Sequence, residues 1–134
     1  MIGLYGCSAS TGRGPMGDFR RLEVWQRARQ LCSQIYQATR QYPADERFGL
    51  IAQTRRAAVS VAANIAEGRG KNNDRELYRY LGIAIGSATE VECLVVLAED
   101  LGFISPRESA PVIESAARMQ SMIAVLQRRI RVRQ

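Results

Sequence analysis

The sequence predicts an all-α protein, an antiparallel up-down-up-down four-helix bundle. Apolar residues recur at alternating spacings of three and four along four separate segments, the period of one helical face. Stop and start signals bound each segment and leave connections of a few residues, which make consecutive helices antiparallel neighbours. The 134 residues, 46% hydrophobic and 24% charged, suffice for one core and fall short of two enzyme domains.

Residues 1–17, MIGLYGCSASTGRGPMG, have no apolar period and are rich in Gly and Ser. They read as a disordered leader ahead of a bundle domain over 18–134. Gly12-Arg13-Gly14-Pro15-Met16-Gly17 spells GxGxxG, but no strand precedes it and Pro15 lacks the N–H a phosphate would want. The first helix is expected from Phe19 to Gln41, with Val24, Trp25, Ala28, Leu31, Cys32, Ile35 and Thr39 on one face. Tyr42-Pro43 ends it, since the residue before proline avoids helical backbone. A second helix, about Asp45 to Glu67, buries Ile51, Thr54, Ala58, Val61 and Ile65, with Gly68 as its stop.

The third helix opens on Asn73 and Glu76, spaced as a capping box. Its seam is Leu77, Leu81, Ala84, Ala88, Val91, Val95 and Ala98. The fourth opens on Ser105-Pro106-Arg107-Glu108, an N-cap, a first-turn proline and an acid. Its seam is Val112, Ala116, Met119, Ile123, Leu126 and Ile130.

Several function classes drop out. No histidine is present, which removes His triads, His metal sites and His pH switches. Cys7, Cys32 and Cys93 are odd in number and form no CxxC, so neither a disulfide framework nor a zinc site is expected, and reduced thiols fit a cytoplasmic protein. No apolar run is expected to reach the ~20 residues of a membrane span. Adjacent acids such as Glu99-Asp100 diverge by about 100° on a helix. Gly86-Ser87 is no nucleophile elbow, and Gly70-Lys71-Asn72 lacks the rest of a phosphate loop. The expectation is a protein that is not an enzyme, with no catalytic, cofactor or metal residues.

Charge says more. Eighteen Arg and one Lys stand against thirteen acids, for a net +6, which suits a polyanionic partner. Arg69 and Lys71 precede the third helix, whose N-terminus is positive. Arg128, Arg129, Arg131 and Arg133 form a basic tail, which a solvated helix end explains as well as an RNA contact does. These six are the candidate nucleic-acid residues, through phosphate neutralisation rather than base reading, because no RNA motif or aromatic stacking platform is visible.

The third helix also carries a second apolar line, Tyr80, Ile83, Ser87, Leu94, Leu97 and Leu101. It widens the apolar arc to about 200°, more than one core-facing stripe needs. Burial between two neighbouring helices accounts for such an arc; so does contact with another copy of the chain, the reading preferred here.

Finally, the segments Asp18–Gln26, Tyr42-Pro43, Gln53–Ala58, Asn64-Ile65-Ala66-Glu67-Gly68 and Gly86-Ser87-Ala88-Thr89-Glu90 together resemble one bacterial family. It is the four-helix bundle proteins encoded in intervening sequences of 23S ribosomal RNA genes, also called S23 ribosomal proteins. The resemblance spans about 18–103. It implies a four-helix bundle without known catalysis and a homopentamer, which would use the second line. Of its polar residues, Gln53, Arg56, Asn64, Glu67 and Glu90 form either a ligand surface or internal pairs, and pairing of Arg56 with an acid on the third helix is preferred. The functional expectation is a non-enzymatic oligomeric bundle that binds RNA or another nucleic acid. The alternative is an adaptor that holds a partner protein, without nucleic acid or membrane.

Overall fold

The computed structural model describes residues 18–133, with side chains through Ile130. The leader over 1–17 lies outside the described residues. Four helices follow one another: α1 (Glu23–Thr39), α2 (Leu50–Gly70), α3 (Asp74–Asp100) and α4 (Pro106–Arg133). Consecutive helices pack together and α4 closes on α1, the up-down four-helix bundle expected from the seams.

The helix ends are set by local chemistry. Asp18 is buried; its carboxylate accepts the Arg20 N–H at 3.1 Å and caps a 3-10 turn, Phe19–Arg21. The Arg20 hydrogen bond holds the Asp18 carboxyl below the usual carboxylate range. Leu22 is extended (ψ 127°), so α1 starts four residues later than its period suggested. The start of α2 is also later. Ala44–Glu46 form a 3-10 turn, and Gly49 (ψ −112°) breaks it from α2, whose first N–H, on Leu50, donates to Glu46 Oε1 at 2.9 Å.

Gly68 does not stop α2, which runs on to Gly70; the turn is made by Asn72, whose φ of 56° is a conformation Asn tolerates. Gly68 instead lets α3 approach, because a Cβ there would lie 2.7 Å from the Cβ of Tyr80. Both expected caps form: Asn73 Oδ1 accepts from Glu76 N–H at 3.0 Å, and Ser105 Oγ from Glu108 N–H at 3.1 Å.

The core is the four seams facing inward. Every seam residue of α3 is buried, as are Leu31 and Ile35 of α1, Val61 and Ile65 of α2, and Met119 and Ile123 of α4. Each large side chain removed from water contributes about 1.5–3 kcal/mol before entropy is counted. The α2–α3 and α3–α4 contacts are the most extensive, and α1–α4 the sparsest. Small residues explain part of this order: Ala57, Ala58 and Gly68 of α2 and Ala84, Ala88 and Ala98 of α3 are buried and keep the backbones close.

One expectation is corrected. By length and composition, α3 is apolar enough to cross a membrane, with a mean hydropathy of 1.8 in its most apolar stretch. The helix carries two lines of apolar residues with Gly, Ala, Ser and Thr between them, so charges are few over its middle. Here it lies between α2 and α4.

Candidate nucleic-acid interface

Antiparallel packing puts the starts of α1 and α3 at the same end as the finishes of α2 and α4. Gln127 of α4 donates its side-chain N–H to the Tyr78 carbonyl of α3 at 3.0 Å, which fixes this pairing. Arg69 and Lys71 therefore share one end with Arg128 and Arg129, although some sixty residues separate them in sequence. Arg131 and Arg133 sit in the final turn of α4; their side chains lie outside the described residues. The fold adds four cations that the sequence reading did not single out: Arg20, Arg21, Arg75 and Arg79.

Across 18–23, 67–79 and 127–134, this end holds ten basic and five acidic residues. The other end, 39–50 and 97–109, holds three basic and five acidic. Acids at the basic end neutralise only some of the cations: Arg20 pairs with Asp18 and Arg79 with Glu76, each at 3.1 Å. The Arg79 guanidinium is held further above its ordinary basicity by the Glu76 hydrogen bond. Lys71, Arg75, Arg128 and Arg129 are exposed and form no ion pair among the described residues.

Aromatic rings lie among these cations. Tyr80 sits between Lys71 (5.8 Å to the ring centre) and Arg79 (4.6 Å), and its hydroxyl donates to Glu67 at 3.2 Å. Phe19 meets Trp25 edge to face at 4.9 Å, with Arg20 over the first ring and Arg29 over the second. The sequence reading saw no such arrangement. Its only signal was the spacing of Trp25 and Arg29, one helical turn apart, together with Phe19 and Arg20 in the preceding turn.

The second apolar line of α3 is divided by the fold. Ile83, Leu97 and Leu101 face outward, 42%, 44% and 62% exposed. Ser87 and Leu94 are buried within the chain, and Ser87 shares a 2.8 Å hydrogen bond with Ser60 of α2. Tyr80 is half-buried over Gly68. Burial by a neighbouring helix thus accounts for the inner half of the arc, and the outer half is not covered by any of the described residues.

Beside that outward stripe runs a polar ladder between α2 and α3. Gln53 donates to Glu90 at 3.5 Å, Asn64 to the Ser60 carbonyl at 2.8 Å, and Tyr80 to Glu67. Four of the five polar residues that carried the resemblance are used internally. Arg56 is the exception: it is exposed and forms no ion pair among the described residues, while Glu90 accepts from Gln53. The expected pairing of Arg56 with an acid on α3 is therefore replaced.

The sparse α1–α4 contact leaves a groove. A cavity of about 200 Å³ lies between Gln30 and Gln34 of α1 and Met119 and Met122 of α4, rimmed by Arg27 and Arg118. Met122 also lines a second cavity of about 330 Å³ with Leu22, Val24 and Leu126. Among the described residues, no three Cys, Asp or Glu side chains gather where a metal could sit.

Comparison with known proteins agrees with this architecture. A family model described as 23S rRNA-intervening sequence protein matches residues 20–125. The crystal structure of a protein of unknown function from the S23 ribosomal protein family of Bacteroides thetaiotaomicron VPI-5482 is similar in fold, with a TM-score of 0.70 at 18% identity. That match covers 78% of this chain and 97% of the other. The search of curated proteins finds no match.

Proposed function

The chain belongs to the 23S rRNA-intervening sequence protein family, and from that premise we propose that it is a non-enzymatic, self-assembling bundle that binds RNA through its basic end. The observation that carries this reading is the convergence of Lys71, Arg75, Arg128 and Arg129 from distant segments onto one end. Exposed cations with no ion pair among the described residues neutralise phosphates and release counterions. Assembly multiplies such contacts without any new one within a subunit. The outward stripe of Ile83, Leu97 and Leu101 supports a contact between copies, and five copies is the expected count. The protein works in the cytoplasm, where its cysteines stay reduced.

A salt titration of RNA binding tests this reading, with assembly mass followed by light scattering. Nuclease-treated protein should bind structured RNA at micromolar or tighter Kd, and log K should fall linearly with log salt. Absence of binding at low salt by an intact oligomer sinks the RNA role. Leu97→Glu with Leu101→Glu should reduce the mass while helix content stays near wild type; an unchanged mass refutes the contact.

A second reading, an adaptor for a partner protein, draws on the methionine-floored groove between α1 and α4, since pliant Met surfaces suit helix docking. Binding through that groove would hardly respond to salt.

A further inference from the structure

Trp25 is the sole tryptophan of the chain, and it stands in a row of two rings flanked by two cations. Arg20 lies over Phe19 at 5.7 Å, Phe19 meets Trp25 at 4.9 Å, and Arg29 lies over Trp25 at 5.3 Å. What sets this row apart from the other cation–ring contacts is that its two rings also touch each other. The row starts at the basic end, where the Phe19–Arg21 turn packs on α2, and climbs one turn of α1. It is remote from the outward stripe of α3, because α1 and α3 stand at opposite corners of the bundle.

Core packing explains only part of the row. Trp25 is partly buried and packs against the main apolar cluster, which fixes the ring. Arg29 is exposed and forms no ion pair among the described residues. Its guanidinium lies 5.3 Å from the indole centre on an exposed residue, within reach of another flat group. Unpaired bases stack on aromatic rings and on Arg planes, and every base has a face to offer. Bases in a duplex are already stacked and present only edges and phosphates.

We propose that the Arg20–Phe19–Trp25–Arg29 row is a stacking site for unpaired nucleotides of an RNA strand whose phosphates continue onto the basic end. This rests on the RNA reading above and narrows it to single-stranded stretches. The strand stacks a base on Arg29 and Trp25, while Lys71 and Arg128 neutralise its backbone.

The test uses the intact protein, a short oligoadenylate, and an RNA duplex with the same number of phosphates. The oligoadenylate should quench Trp25 fluorescence as it binds, and the duplex should bind without quenching. Arg29→Lys keeps the charge and loses the plane; Phe19→Leu keeps bulk and loses the ring. Together they should weaken oligoadenylate binding on the order of tenfold, with the salt slope and duplex affinity unchanged. Oligoadenylate that binds without quenching overturns the proposal, as does equal weakening of both ligands by the two variants. If neither RNA binds at low salt, the broader RNA reading falls and takes this one with it.

Discussion

The two ends of the bundle are built from the same four helices and carry opposite charge. One end holds ten basic and five acidic residues, the other three and five. Helix dipoles explain a part of this. Arg69 and Lys71 close α2, and Arg128 and Arg129 lie near the finish of α4, where cations are favoured. Other charges run against the dipole. Arg75 stands in the first turn of α3 with no ion pair among the described residues, and Glu99 and Asp100 finish the same helix. Glu99 has a local use, since its carboxylate accepts the buried Ser109 hydroxyl at 2.6 Å, whereas the helix dipole does not account for Arg75 or Asp100.

The ends also differ in how they are closed. At the acidic end, Tyr42, Ala98 and Ile104 form a second apolar cluster, with the Tyr42 and Phe103 rings 5.8 Å apart. The Tyr42 hydroxyl is buried there without a partner, and burial pushes its phenol up. At the basic end, closure depends on the close approach at Gly68 and on polar contacts from Gln127 and Tyr80. A buried apolar plug closes one end, and exposed cations line the other.

Charge reversal should break the comparison most. Lys71→Glu with Arg128→Glu and Arg129→Glu is expected to weaken RNA binding on the order of a hundredfold and to lower the salt slope. Arg40→Glu with Arg47→Glu and Arg107→Glu, at the acidic end, should leave affinity within about twofold. Equal losses from the two triple variants would mean that net charge alone attracts RNA.

Substitution of neighbouring glycines sharpens the account of closure. Gly68→Ala should destabilise by about 1–3 kcal/mol, because its methyl meets Tyr80. Gly70→Ala has open space around it and should stabilise by about 0.5 kcal/mol through the unfolded chain. Urea unfolding of both variants measures the pair, and similar midpoints would refute the close-approach role.

The smallest effect belongs to the plug. Tyr42→Phe removes a buried hydroxyl with no partner among the described residues, so stability near neutral pH should rise, by up to about 1 kcal/mol. The sign with pH is definite. A phenol held neutral in the folded state contributes stability that is complete below the ordinary phenol range. That stability is lost as pH rises past ~10, where the unfolded chain ionises first. Wild type should therefore lose more stability than Tyr42→Phe at alkaline pH, as urea unfolding across that range would reveal.

The sequence itself determined the bundle. Seams at three-four spacing faced inward almost residue for residue, because burial of an apolar face is what makes an amphipathic helix stable in a protein. Caps at Asn73 and Ser105 were legible because capping is a contact across three residues. The starts of α1 and α2 were not, since Leu22 and Gly49 break helices by backbone geometry that apolar period does not record. Only tertiary structure decided the rest. Gly68 looked like a stop and proved to be a point of helix contact, because its neighbour Tyr80 is reached across a turn. Leu94 and Ser87 went inward while Leu97 and Ile83 stayed out, since the placement of the neighbouring helices decides how much of an apolar arc is covered. The gathering of Arg69, Lys71, Arg128 and Arg129 required antiparallel packing, which converts distance along the chain into proximity at one end.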